Sequence, residues 1–78
     1  MDKPPVYLDD KSILVSTRKG LRRLQVPFIV VVVIAADSLE IGDKVQVMLV
    51  SFSQTDPLLY YIRNRYYNYS LFLIEGVR

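Results

Sequence analysis

The sequence predicts a mostly β protein folded as a small β-barrel. Three observations carry this expectation. Val, Ile, Leu, Tyr and Phe dominate a chain that is 51% hydrophobic, and such side chains suit a pleated, half-buried surface. Turn residues, including Asp9-Asp10, Arg18-Lys19-Gly20 and Ser53–Pro57, punctuate the chain between short apolar runs. The chain has 78 residues, which allows one domain, residues 1–78, with residues 1–5 as a flexible tail.

Taken in order, Val6–Leu8 reads as a short strand or extended entry, and Asp9-Asp10 as a turn. Ser12–Thr17 is a strand by its β-branched content. Arg18-Lys19-Gly20 is a tight turn, because Gly20 adopts positive φ freely. Leu21–Val26 returns as the second strand of a hairpin. Pro27 cannot donate to a ladder and marks a new element.

Phe28–Ala36 (FIVVVVIAA) is ambiguous. Six of its nine residues are β-branched, which favours a strand. Pro27 just before it suits the first position of a helix, and a continuous apolar run has no period to decide between the two. In either form the run belongs in a core or a subunit interface, since exposed it would invite aggregation. Leu39–Asp43 turns into the strand Lys44–Phe52. Ser53–Pro57 is a loop, Leu58–Arg63 a strand, Asn64–Asn68 a turn back, and Tyr69–Glu75 the last strand. Gly76–Arg78 is a tail.

Composition narrows the chemistry. The chain contains neither Cys nor His, so disulfides and the usual zinc sites are excluded. The common catalytic bases and nucleophiles are missing with them, and no enzyme, catalytic residue, metal or cofactor is expected. The carboxylates Asp37, Glu40 and Asp43 read as a solvated turn. A chain this short buries only about 60–65% of its unfolded surface, which makes a lone copy marginally stable. With disulfides and zinc excluded, association with another chain is the expected supplement, so a homo-oligomer is predicted. The longest uncharged stretch, Leu24–Ala36, is shorter than the roughly 20 apolar residues that a spanning helix needs. Met1–Lys11 has no apolar leader. The expectation is a soluble, cytoplasmic protein without a membrane segment.

The net charge is +2, but it is unevenly distributed. Residues 11–23 carry Lys11, Arg18, Lys19, Arg22 and Arg23 with no acid. A local basic stripe is what an anionic partner feels, and phosphate contact is the chemistry it suits. The bland reading of the same stripe is a solubilising hairpin tip. In a regular strand Arg22 and Arg23 point to opposite faces. A second segment interleaves Tyr60, Tyr61, Arg63, Arg65, Tyr66, Tyr67 and Tyr69. Tyr and Arg together describe a protein interface, and they also describe a surface that stacks unpaired bases.

The order V-S-T-R-K-G, R-L-Q-V-P and L-E-I-G-D-K-V-Q-V-M-L-V resembles the AbrB/SpoVT/MazE family of swapped-hairpin DNA-binding domains. The matching positions are Lys19-Gly20, Val26-Pro27, and Leu39, Ile41, Gly42, Asp43, Val45 and Val47. The resemblance implies an intertwined homodimer with one short helix after Pro27. It also implies a role in DNA-binding transcription regulation or as an antitoxin-like module. Residues near the first hairpin contact DNA in that family, which assigns Arg18, Lys19, Arg22 and Arg23 to double-stranded DNA. The departures are a longer hairpin, a FIVVVVIAA run where the family has a polar helix, and a long insert, Ser53–Tyr69, before the last strand. The alternative is a structural or adaptor barrel of SH3-like or OB-like form. It would bind protein or single-stranded nucleic acid through Tyr61, Arg63, Arg65, Tyr66 and Tyr67.

Overall fold

β-Branched and aromatic residues dominate the short apolar runs, and nine short strands form among the described residues. The computed structural model describes residues 4–75. The expected tails therefore lie largely outside the described residues, and Pro4 and Pro5 carry no regular structure. The strands are β1 (Val6–Asp9), β2 (Ser12–Thr17), β3 (Gly20–Gln25), β4 (Phe28–Val32), β5 (Lys44–Val47), β6 (Leu49–Ser51), β7 (Leu59–Ile62), β8 (Arg65–Asn68) and β9 (Phe72–Ile74). They pair antiparallel as three three-stranded sheets, ordered β1-β2-β3, β5-β4-β9 and β6-β7-β8.

The mostly β expectation holds, but the closed barrel does not. β3 ends its sheet with an open edge. The reason lies in its side chains. Leu24 is the one β3 residue that packs on the core, while Gly20–Arg23 are all exposed. Leu21 is the one large apolar side chain among those four.

The expected short helix is also corrected. Residues 28–32 form a strand, and no α-helix occurs among the described residues. Phe28, Val30 and Val32 point inward and are buried, while Ile29 and Val31 face the other way. Its backbone pairs on both edges, with Val47–Lys44 of β5 and with Ile74–Phe72 of β9. The stiff β-branched side chains fit that pleated position better than a helix. The single helical turn among the described residues is a 3₁₀ turn, Tyr69–Leu71, which Asn68 caps by accepting from the Ser70 N–H at 2.9 Å.

The sheets share one core. Ile13 and Val15 of β2 meet Phe28, Val30 and Val32 of β4, Val45 and Val47 of β5, Val50 of β6, and Tyr60 and Ile62 of β7. Leu39, Leu58, Tyr67 and Phe72 complete it. The predicted strand Lys44–Phe52 is divided at Met48. Its burial phase slips there, from Val45 and Val47 to Val50, as a bulge requires. β5 thus pairs with β4, and β6 with β7, in one bent segment whose Met48 N–H donates to the Tyr61 carbonyl at 2.9 Å. The Val50 N–H donates to the Asp10 carbonyl at 2.9 Å, which docks the β1–β2 turn onto β6.

The return turn after β7 also differs from the expectation. It is Arg63-Asn64, with φ of 51° and 69°, the left-handed pair of a two-residue hairpin. Arg65–Asn68 is therefore strand β8 rather than turn. Lys44 Nζ meets Glu75 Oε1 at 2.7 Å. Since β4 lies between β5 and β9, this ion pair arches over β4's outer face.

Candidate nucleic-acid interface

The β2–β3 hairpin carries the basic stripe. Its register runs from Ser12↔Gln25 to Thr17↔Gly20, leaving Arg18-Lys19 as the turn. Thr17 builds that turn. Its Oγ1 accepts from the Lys19 N–H at 3.1 Å and donates to the Gly20 carbonyl at 2.8 Å. Gly20 sits at φ 112°, a conformation that side chains resist. Arg18 and Lys19 are thereby held at the exposed tip of the arm.

Arg22 and Arg23 take opposite faces, as strand geometry demands. Arg22 lies across from Val15, and Arg23 lies across from Leu14. Their surroundings differ. Arg23 NH2 meets Asp9 Oδ2 at 3.0 Å, and its Nε donates to Ser12 Oγ at 3.1 Å. Ser12 is itself fully buried and donates to Asp9 Oδ1 at 2.9 Å. Arg23 therefore ties β3 to the β1–β2 turn. Arg18, Lys19 and Arg22 form no ion pair among the described residues. The structure thus divides the four predicted cations into three free ones around the tip and one held in a bridge.

Asp9 is the residue that sequence reasoning passed over. The Asp9-x-x-Ser12 spacing suits a side chain that turns back on its own backbone, and this was the available signal. Asp9 Oδ1 accepts the Lys11 N–H at 2.9 Å. That bond, the Ser12 hydroxyl and the Arg23 charge hold its carboxyl below the ordinary 3.8. A lowered folded-state pKa gives stability that is present above the unfolded value and lost as pH falls through the folded one. Thermal melts between about pH 5 and pH 2 should therefore show Asp9→Asn losing less stability on acidification than the wild type. Equal acid slopes would refute that role.

The Tyr/Arg segment also divides. Tyr60 and Tyr67 are buried, and Tyr67 packs edge-on against Phe72 with ring centroids 6.1 Å apart. Burial, then the nearby Asp37, raises the Tyr67 phenol above its ordinary value. Tyr67 is core and not surface. Arg65 lies 3.7 Å from Asp37 in an exposed ion pair. Tyr61 and Tyr66 pair across β7 and β8 on the opposite face, and their rings contact one another. Arg63 sits in the turn beyond them.

Asp37, Glu40 and Asp43 do not converge. Asp43 Oδ2 accepts the Glu40 N–H at 3.0 Å within its turn, and no metal-holding group of three ligands occurs among the described residues. No helix among the described residues is long and apolar enough to cross a membrane. No protein-family model, no curated protein and no solved structure matches this chain.

Proposed function

We propose that this chain binds double-stranded DNA through the β2–β3 arm, as a dimeric transcriptional regulator or antitoxin-like module. One observation carries the reading. The arm holds Arg18, Lys19 and Arg22 around its tip, and no carboxylate neutralises any of them among the described residues. A two-stranded ribbon fits the major groove of B-DNA. Free cations on such a ribbon release counterions when they meet phosphates, and that release drives binding. Arg23 has a different role, since its charge is already engaged by Asp9. It stiffens the base of the arm and leaves the phosphate contacts to the other three. A dimer sets two arms on one duplex, and the short chain gives association a thermodynamic motive.

A mobility-shift titration over a salt series tests this reading. Three phosphate contacts give a slope of log K against log salt of about −2.7 per arm, at roughly 0.9 per contact. No shift at low salt, or a slope near zero, would sink the proposal.

A further inference from the structure

The outward face of the β6-β7-β8 sheet is set by register. Leu49, Tyr61 and Tyr66 form one row, and Ser51, Leu59 and Asn68 form the next. The outer face of an antiparallel sheet is ordinarily polar. Here two tyrosines stand on it near the β7–β8 turn, with ring centroids 4.8 Å apart and planes tilted by 50°. Tyr66 is 50% exposed. Tyr61 donates its hydroxyl to Asn64 Oδ1 at 3.3 Å, which fixes that ring beside the turn.

The turn itself is informative. Arg63 occupies its first position at φ 51°, where Asn, Asp or Gly is favoured. Arg63 stands in the turn that closes the tyrosine row, and its charge also reaches the Tyr67 phenol on the other face. It forms no ion pair among the described residues. None of the six outward side chains is a carboxylate. Asp56, beyond Asn68, is taken up by the Asn68 Nδ2 donor at 2.7 Å.

We infer that this face is a second binding site, which takes single-stranded nucleic acid. Unpaired bases stack on Tyr66 and on the exposed part of Tyr61, and Arg63 meets the backbone phosphate. Every base has a π-face, so such stacking is tolerant of sequence. A duplex keeps its bases stacked on each other and offers these rings nothing. An acidic peptide satisfies Arg63 but gives the rings no flat partner. The site lies on a different sheet from the β2–β3 arm and stands independently of it.

Anisotropy titrations with labelled oligo-dT and oligo-U test the inference, the two strands separating DNA from RNA as the source. At least one strand binds, and Tyr66→Ala weakens that binding about tenfold or more, the value of a lost base stack. Tyr66→Phe keeps the ring and stays within about twofold of wild type. Arg63→Asn raises the melting temperature, because Asn suits the turn, and yet weakens binding. A purely structural Arg63 cannot produce that split. Replacing Arg18, Lys19 and Arg22 abolishes the duplex shift and leaves the Tyr66-dependent part of single-strand binding in place, so either reading fails without the other. Equal binding by Tyr66→Ala and wild type would overturn the site. So would a Tyr66→Ala effect confined to self-association in sedimentation, which would make the face a contact between copies.

Discussion

Tyr60→Ala should lower the melting temperature by about 15 °C or more, since such truncations cost roughly 3–5 kcal/mol and each kcal/mol moves a domain of this size by several degrees. Tyr60 is among the largest fully buried side chains, at 1% exposure. Its ring meets Phe28 edge-on at 5.6 Å and Phe72 at 5.8 Å, so it joins β7 to both β4 and β9. Removing it opens a cavity where the β6-β7-β8 and β5-β4-β9 sheets meet. A chain of this length has a total stability of only about 4–12 kcal/mol, so the loss is a large fraction of the whole. Tyr60→Phe keeps the ring contacts and should cost less than about 1.5 kcal/mol.

The phenol adds a pH signature. Burial raises its pKa above the ordinary 10.0, so the unfolded chain ionises first. A raised folded-state pKa gives stability that is complete below the unfolded value and declines as pH rises beyond it. Alkaline melts should therefore weaken the wild type above about pH 10 more than Tyr60→Phe. Parallel alkaline slopes would contradict the burial argument. A small change in melting temperature for Tyr60→Ala would show that the core closes without this ring.

The second large effect concerns binding. Replacing Arg18, Lys19 and Arg22 together with Ala should weaken duplex affinity by more than about a hundredfold, since contacts to charged groups contribute about 1.5–3 kcal/mol each. The salt slope should flatten by about 2.7 per arm, and the loss should be uniform across sequences wherever the contacts are to phosphate. Arg23→Ala should behave otherwise. It breaks the Asp9 bridge and its bond to Ser12, so it loosens the arm and leaves the salt slope nearly unchanged. The exposed ion pair itself contributes little in water. Circular dichroism on each variant separates lost binding from lost fold. An Arg23→Ala slope change equal to that of Arg22→Ala would erase the division drawn between the two.

How far these features were legible in the sequence depended on how local their causes are. The β2–β3 hairpin could be read because Gly20 announces its turn and Ser12–Thr17 its strand. The fate of Arg23 could not, because the Asp9 bridge exists only once β1, β2 and β3 are in register. Phe28–Val32 lacked a period of its own, and pairing with β5 and β9 decided its form. Met48 gave no warning of a bend, since Val and Leu on either side serve a straight strand equally well. Arg63-Asn64 escaped notice as a turn because arginine is an uncommon occupant of a left-handed position. The tyrosines were visible as a group. Which of them face outward was set by the cross-strand pairs Tyr60↔Tyr67 and Tyr61↔Tyr66, and those depend on where the turn falls.

The central place of β4 has a consequence for the order of synthesis. Its two neighbours come from very different points along the chain, β5 shortly after it and β9 long after. A nascent chain can cover one flank of this valine-rich ribbon early, while the other waits for the later strand. During that interval an unpaired apolar flank is open to a neighbouring molecule. Aggregation hazard along this flank is thus greatest before β9 pairs with β4.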